Sequence, residues 1–214
     1  MHVPFCDVRC PYCHFSCFVN RDTTLFDRWA KGVVSQFERM RDHFGVESLA
    51  SVYFGGGTPT ALTPSARGVV ADWLADDLAP LLVPSAEITL ECNPESAWPE
   101  SIGPWVDAGV NRLSIGVQSM DAKVLEFLGR LNTPESNRRV LDLACGLVDN
   151  VSADLIVASP ADSEETLQRS LDGILEWPIQ HVSAYLLEFH AATRFGRDLK
   201  AGRIQPTPDA EQAR

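Results

Sequence analysis

Cys6, Cys10 and Cys13 stand at C-x3-C-x2-C spacing within CDVRCPYCHFSC, a stretch that holds four of the chain's six cysteines. Three thiolates this close on one loop can surround a soft metal centre. One occupant is a single zinc ion, but zinc fingers draw their remaining ligands from much further along the chain. Here Cys17 or His14 would have to complete the tetrahedron, at the cost of a strained loop. The better occupant is a four-iron, four-sulfur (4Fe-4S) cluster, in which three thiolates leave one iron open to another ligand. Plain core packing fits poorly, because Asp7, Arg9 and Pro11 are not core-like neighbours.

Other residues capable of chemistry lie at the ends of apolar runs. Gly55, Gly56, Gly57 and Thr58 follow SVYF. Three glycines there give up packing, so they mark either a tight turn or a close approach to the backbone. The loop lacks the GK[ST] ending of a phosphate-binding Walker loop. Glu91 lies at the end of the EITLEC run and alone reads as a solvated strand end; Gln118 follows RLSIGV and alone reads as readily as a loop residue. Arg130, in LGRLN, reads alone as a helix cap. Asp154 interrupts the apolar run VSADLIV, and a carboxylate buried there needs hydrogen-bond donors or a partner. His2 is suited to positioning the cysteine loop, and isolated His190 has no assigned role.

These residues need a frame. The runs 51–54, 87–92, 112–117, 151–157 and 181–187 are nearly continuous in apolar character, as parallel strands covered on both faces are. A sixth strand is expected at His2–Pro4. Helices are expected between them near 64–78, 99–108, 134–148 and 163–177. The first helix follows Asp22, with Leu25, Trp29, Val33, Phe37, Met40 and Phe44 on one face and Gly45 as its stop. A repeat of this kind gives an open doubly wound sheet or a barrel, with ligands at the carboxyl ends of the strands in either.

The 214 residues suffice for one sizeable domain, and 45% hydrophobic content supports a core. A net charge of −11 argues against a nucleic-acid partner. There is no membrane-spanning run and no visible signal peptide, so the expected location is cytoplasmic.

Taken together, HVPFC, CPYCHF, YFGGGTPT, ITLECNPE, GVNRLSIGVQS and LGR resemble the radical S-adenosylmethionine (SAM) superfamily. Within it they are similar to the oxygen-independent coproporphyrinogen III oxidase family. Phe15, where the oxidases carry cysteine, makes the chain most similar to the haem-chaperone branch. The resemblance implies an α/β fold, a six-stranded partial (β/α) barrel. It implies a 4Fe-4S cluster on Cys6, Cys10 and Cys13, with Cys17 a bystander. It places SAM against Gly56, Gly57, Thr58, Glu91, Gln118, Arg130 and Asp154. In the family, the reduced cluster splits SAM to give a 5′-deoxyadenosyl radical. The oxidases use it to convert propionate to vinyl, whereas the chaperone branch handles haem as cargo. The implied partner is a tetrapyrrole, haem or porphyrinogen, and the electron donor is unspecified.

The chain departs from the family in places. A SAM-contacting tyrosine two positions before His2 is outside this sequence. The fifth strand ends in Val157-Ala158-Ser159-Pro160 rather than YGLP, and Asn132 stands where histidine is usual. The family also continues far past Arg214. Residues 1–194 are therefore expected to form the radical SAM core, and 195–214 a linker or the start of a further domain. Such a chain is expected to bind the cluster, bind SAM weakly and show no oxidase turnover. A haem-trafficking protein is the leading reading. The alternatives are a tetrapyrrole-modifying enzyme, a zinc-binding structural domain and, weakened by the charge, a radical enzyme acting on RNA.

Overall fold

A computed structural model describes residues 1–19 and 22–208. Six parallel strands form one sheet in chain order: β1 His2–Val3, β2 Leu49–Gly56, β3 Leu82–Cys92, β4 Arg112–Gln118, β5 Asn150–Val157 and β6 His181–Leu186. Parallel neighbours joined by right-handed crossovers place every crossing segment on the same side of the sheet. The sheet then curls with its helices outside, giving a partial (β/α) barrel.

Each crossing helix begins and ends for local reasons. The first, α1 (Thr23–Phe44), starts where the Asp22 side chain accepts the Thr24 N–H and stops at Gly45 in the left-handed region. α2 (Pro64–Trp73) opens on a Thr63 cap with proline in its first turn, and continues through a wider π turn at Leu74–Leu78. α3 is Pro99–Asp107. α4 (Ala122–Phe127) is a short helix that the sequence pattern did not predict. α5 (Pro134–Leu147) and α6 (Glu164–Ile174) begin on Thr133 and Ser163 capping boxes. α7 (Arg194–Lys200) was also unforeseen.

The main core joins Phe54, Leu90, Leu113 and Leu155 of the strands to Ala30, Val70, Trp105 and Leu141 of the helices. The predicted stripe on α1 is corrected at its far end. Phe26 and Ala30 are buried, with Leu25, Trp29, Val34 and Phe37 packed beside them, but Met40 and Phe44 are exposed. The inward contacts of the stripe end with Phe37, which packs against Trp73 of α2. The expectation of apolar cover on both faces also fails for β6, at one edge of the sheet, where Tyr185 and Leu186 face solvent.

A second, smaller core holds Val124, Leu128, Ile156 and Phe195, with Tyr12 and Phe189 against it. It spans the segment that the sequence reads as the start of a linker: Phe195 of α7 is buried, and its N–H donates to the Pro11 carbonyl at 2.9 Å. The expected tail DAEQAR lies outside the described residues.

Candidate cofactor site at the carboxyl ends of the strands

The cysteine loop leaves β1 and is closed at its base. Phe5 and Phe18 form a parallel bridge, with the Cys6 N–H donating to the Phe18 carbonyl at 3.1 Å and the Phe18 N–H to the Pro4 carbonyl at 2.7 Å. Stacking of Phe5 on Phe26, at 4.2 Å between centroids, ties that base to α1. His2 Nε2 lies 2.8 Å from the Ser16 carbonyl, which fits its expected role in positioning the loop. The Sγ atoms of Cys6 and Cys10 each accept from the wall of the site, from Thr58 Oγ1 at 3.6 Å and Arg130 Nη1 at 3.7 Å. Burial pushes the Cys6 thiol up to about 12 and also raises Cys13. Without a metal, both would stay protonated at neutral pH. Cys17 is buried and lines the same cleft.

The glycine loop ends β2, and it is the chain's own atoms that require its glycines. A Cβ on Gly56, whose φ is +109°, would overlap the His2 ring, and one on Gly57 would strike the Val3 and Phe5 carbonyls. The close approach foreseen from the sequence is thus, first, strand against strand. Behind the loop, Glu91 accepts from the Gly56 N–H at 2.8 Å and from the Tyr53 hydroxyl at 2.7 Å, so its carboxylate is fixed at the mouth of β3.

Arg130 lies beneath the cysteine loop with its side chain only 5% exposed. It bonds to Asn93 Oδ1 at 2.9 Å, Glu95 at 3.2 Å, the Gly116 carbonyl at 3.3 Å and Asn132 Oδ1 at 2.8 Å. Burial alone would lower its pKa. Tyr12, Glu95 and Cys10 beside it outweigh that, so the net shift is upward and the guanidinium keeps its charge. Asn132, at the position where the family carries histidine, orients this arginine and is itself locked by Asn137 and the Val117 carbonyl. Gln118 occupies the left-handed region at φ +64°, just after a register break in β4. For a non-glycine residue, such a backbone costs about 1–3 kcal/mol, a cost typical of binding sites.

Asp154, midway along β5, is partly buried, and Ser114 Oγ donates to it at 3.1 Å. Burial raises its pKa, and the Ser183 and Ser114 hydroxyls pull the other way. It has structural partners and still faces the opening. Cys6, Cys10, Cys13, Gly56, Gly57, Thr58, Glu91, Gln118, Arg130 and Asp154 all border a single cleft of about 670 Å³. Tyr12, Asn93, Glu95 and Ser114 share that cleft and were missed from sequence, since no spacing distinguishes them from ordinary loop and strand residues.

Among the described residues, no three His, Cys, Asp or Glu side chains gather as ligands of a single ion would. Cys6, Cys10 and Cys13 line one cleft, and a polynuclear cluster would take each thiol on a different iron. Thr58 and Arg130 offer donors to their sulfurs, and a charged arginine beneath them suits an anionic centre. The residues fit such a group.

The sequence profile of the radical SAM superfamily matches residues 1–174. A protein of Mycobacterium tuberculosis named heme chaperone HemW is 32% identical over 212 residues, covering 98% of this chain and 54% of that protein. A mitochondrial radical S-adenosyl methionine domain-containing protein 1 of Bos taurus is 35% identical over 216 residues, covering 100% and 48%. The coproporphyrinogen III oxidase HemN of Escherichia coli superposes with a TM-score of 0.84 at 21% identity, covering 99% of this chain and 48% of that one. The chain thus spans about half the length of the relatives it matches.

Proposed function

The chain belongs to the radical SAM superfamily, and from that premise we propose that it is the cofactor-binding part of a haem-trafficking protein. Membership implies a 4Fe-4S cluster and SAM as cofactors. In this reading Cys6, Cys10 and Cys13 hold three irons, and Gly56, Gly57, Thr58, Glu91, Gln118, Arg130 and Asp154 surround SAM. When bound, the two supply one-electron reductive cleavage of a sulfonium. The chain's own residues position and polarise. Arg130 presents a permanent positive charge suited to a carboxylate. Glu91, held by Tyr53 and the Gly56 N–H, is an anionic acceptor suited to an ammonium group. Asp154 and Ser114 offer an acceptor and a donor suited to the adenosyl part.

The observation that carries the reading is the gathering of all these residues in one cleft. Two things favour haem handling over oxidase chemistry: relatives named heme chaperones match nearly the whole chain, and Phe15 stands at the cleft where the oxidases carry cysteine. The proposed partner is therefore a tetrapyrrole. No described helix is long and apolar enough to cross a membrane, and the relatives include bacterial and mitochondrial proteins. A cytoplasmic location remains part of the proposal.

Anaerobic reconstitution with iron and sulfide tests it. About four irons and four sulfides per chain are expected, with SAM binding and uptake of ferric haem. Stoichiometric zinc without acid-labile sulfide would overturn the cluster. Protoporphyrinogen formed over many turnovers from coproporphyrinogen III, SAM and a reductant would overturn the chaperone assignment.

A further inference from the structure

His14 and His190 are far apart in sequence but meet in space. Their rings stack with centroids 5.0 Å apart and planes 16° apart, and His14 also leans on Phe15 at 5.3 Å. His14 follows directly on Cys13 and lines the cleft; its ring has no hydrogen bond to any described residue. His190, by contrast, is fixed. Its Nδ1 accepts the Ala192 N–H at 3.3 Å, and its carbonyl accepts from the Thr193 N–H at 2.9 Å and hydroxyl at 2.7 Å. With Nδ1 accepting, the neutral His190 ring carries its proton on Nε2 and has no free lone pair. The available imidazole nitrogen of the pair is that of His14.

Its surroundings are apolar yet open. Phe15, Tyr185 and Leu186 border the cleft at 57%, 58% and 55% exposure, unusual for side chains this large. Such a rim suits a flat apolar ligand laid across the opening. The donor count narrows the class. A bare transition-metal ion needs several protein donors, and no three His, Cys, Asp or Glu of the described residues converge. A haem iron brings its equatorial nitrogens with it and asks the protein for one axial ligand.

We propose that His14 is the axial nitrogen ligand of a haem docked across the mouth of the cleft, and that His190 is the positioning residue that holds its ring. This rests on the haem-carrying reading above and assigns it a place: cargo over the cofactors, against Phe15 and Tyr185.

The test is a titration of the reconstituted chain with ferric haem, followed by absorption and electron paramagnetic resonance, with iron and sulfide measured in every variant. The wild type is expected to bind one haem per chain with the signature of nitrogen ligation. H14A should lose that signature and bind on the order of tenfold more weakly, and free imidazole should restore the spectrum. H190A should broaden and weaken the signature, whereas H190F, which keeps a stacking plane, should retain it. If H14A does not fold, H14Q carries the same test. A variant at His14 with unchanged spectrum and affinity overturns the ligand assignment and leaves haem carriage standing. A wild-type chain that binds no haem overturns both.

Discussion

β5 and β6 are paired neighbours built from similar apolar runs, yet they live in different surroundings. Val151, Ala153 and Leu155 of β5 are sealed between the helices and the barrel interior, whereas Tyr185 and Leu186 of β6 face solvent beside the cleft. Apolar composition records only that a strand has something to cover. What covers it depends on its place in the sheet: β5 is buried against the core, whereas β6 at the edge keeps Tyr185 and Leu186 exposed. The division continues at the strand ends, where buried side chains give way within a residue or two to Glu91, Gln118 and the glycine loop. Strand bodies carry stability, and the rim carries the residues proposed to hold the cofactors.

Variants can break this division. The largest effect should come from the rim: Cys6→Ala, Cys10→Ala or Cys13→Ala should abolish iron and sulfide uptake with little change in the melting temperature of the metal-free chain. Cys17→Ala should take up iron as the parent does, and loss of the cluster there would make Cys17 a ligand. Next is Arg130→Ala, which strands the buried carboxylate of Glu95; about 3–5 kcal/mol of stability should be lost in denaturant titrations. That residue would then blur the boundary, serving rim and scaffold together. Within the strands, Leu155→Ala should cost about 2–5 kcal/mol, whereas Leu186→Ala should stay within about 0.5 kcal/mol. Equal losses would mean that the edge strand is as much scaffold as its neighbour.

The smallest effect sharpens the boundary at Asp154. Burial raises its pKa in the folded chain, so the folded state holds the proton more tightly than the unfolded one. The favourable contribution is complete below the ordinary carboxylate range and is lost as pH rises through the raised value. Asp154→Asn should therefore melt higher than the parent at neutral pH, with the difference fading under acid. Equilibrium dialysis with SAM should show weaker binding by the same variant. Thermal collapse with unchanged SAM affinity would return Asp154 to the scaffold.

The strands and the cysteine loop were legible because their signals are local: apolar runs for the former, thiol spacing for the latter. Most crossing helices were legible from caps and prolines. α4 and α7 were not, since a helix of six or seven residues completes too few turns for its periodicity to register. Met40 and Phe44 misled for the opposite reason: they continue the stripe of α1 past its last inward contact, at Phe37. The arginine network was invisible because its members come from the ends of β3 and β4 and the loop after α4. No window along the chain contains Asn93, Gly116 and Arg130 together. Asn132 could be noted only as a departure, and its partners explain it.

The bridge between Phe5 and Phe18 acts before any iron arrives. An open chain of this length would have to search for the arrangement in which its thiols face one way, and closing a loop from Cys6 to Cys17 costs roughly 2 kcal/mol of chain entropy. Folding has already met that cost through two backbone hydrogen bonds and a stacked ring. Cluster assembly therefore begins from a pre-tied loop, and untying it would raise the iron and sulfide concentrations needed for assembly without touching a single ligand.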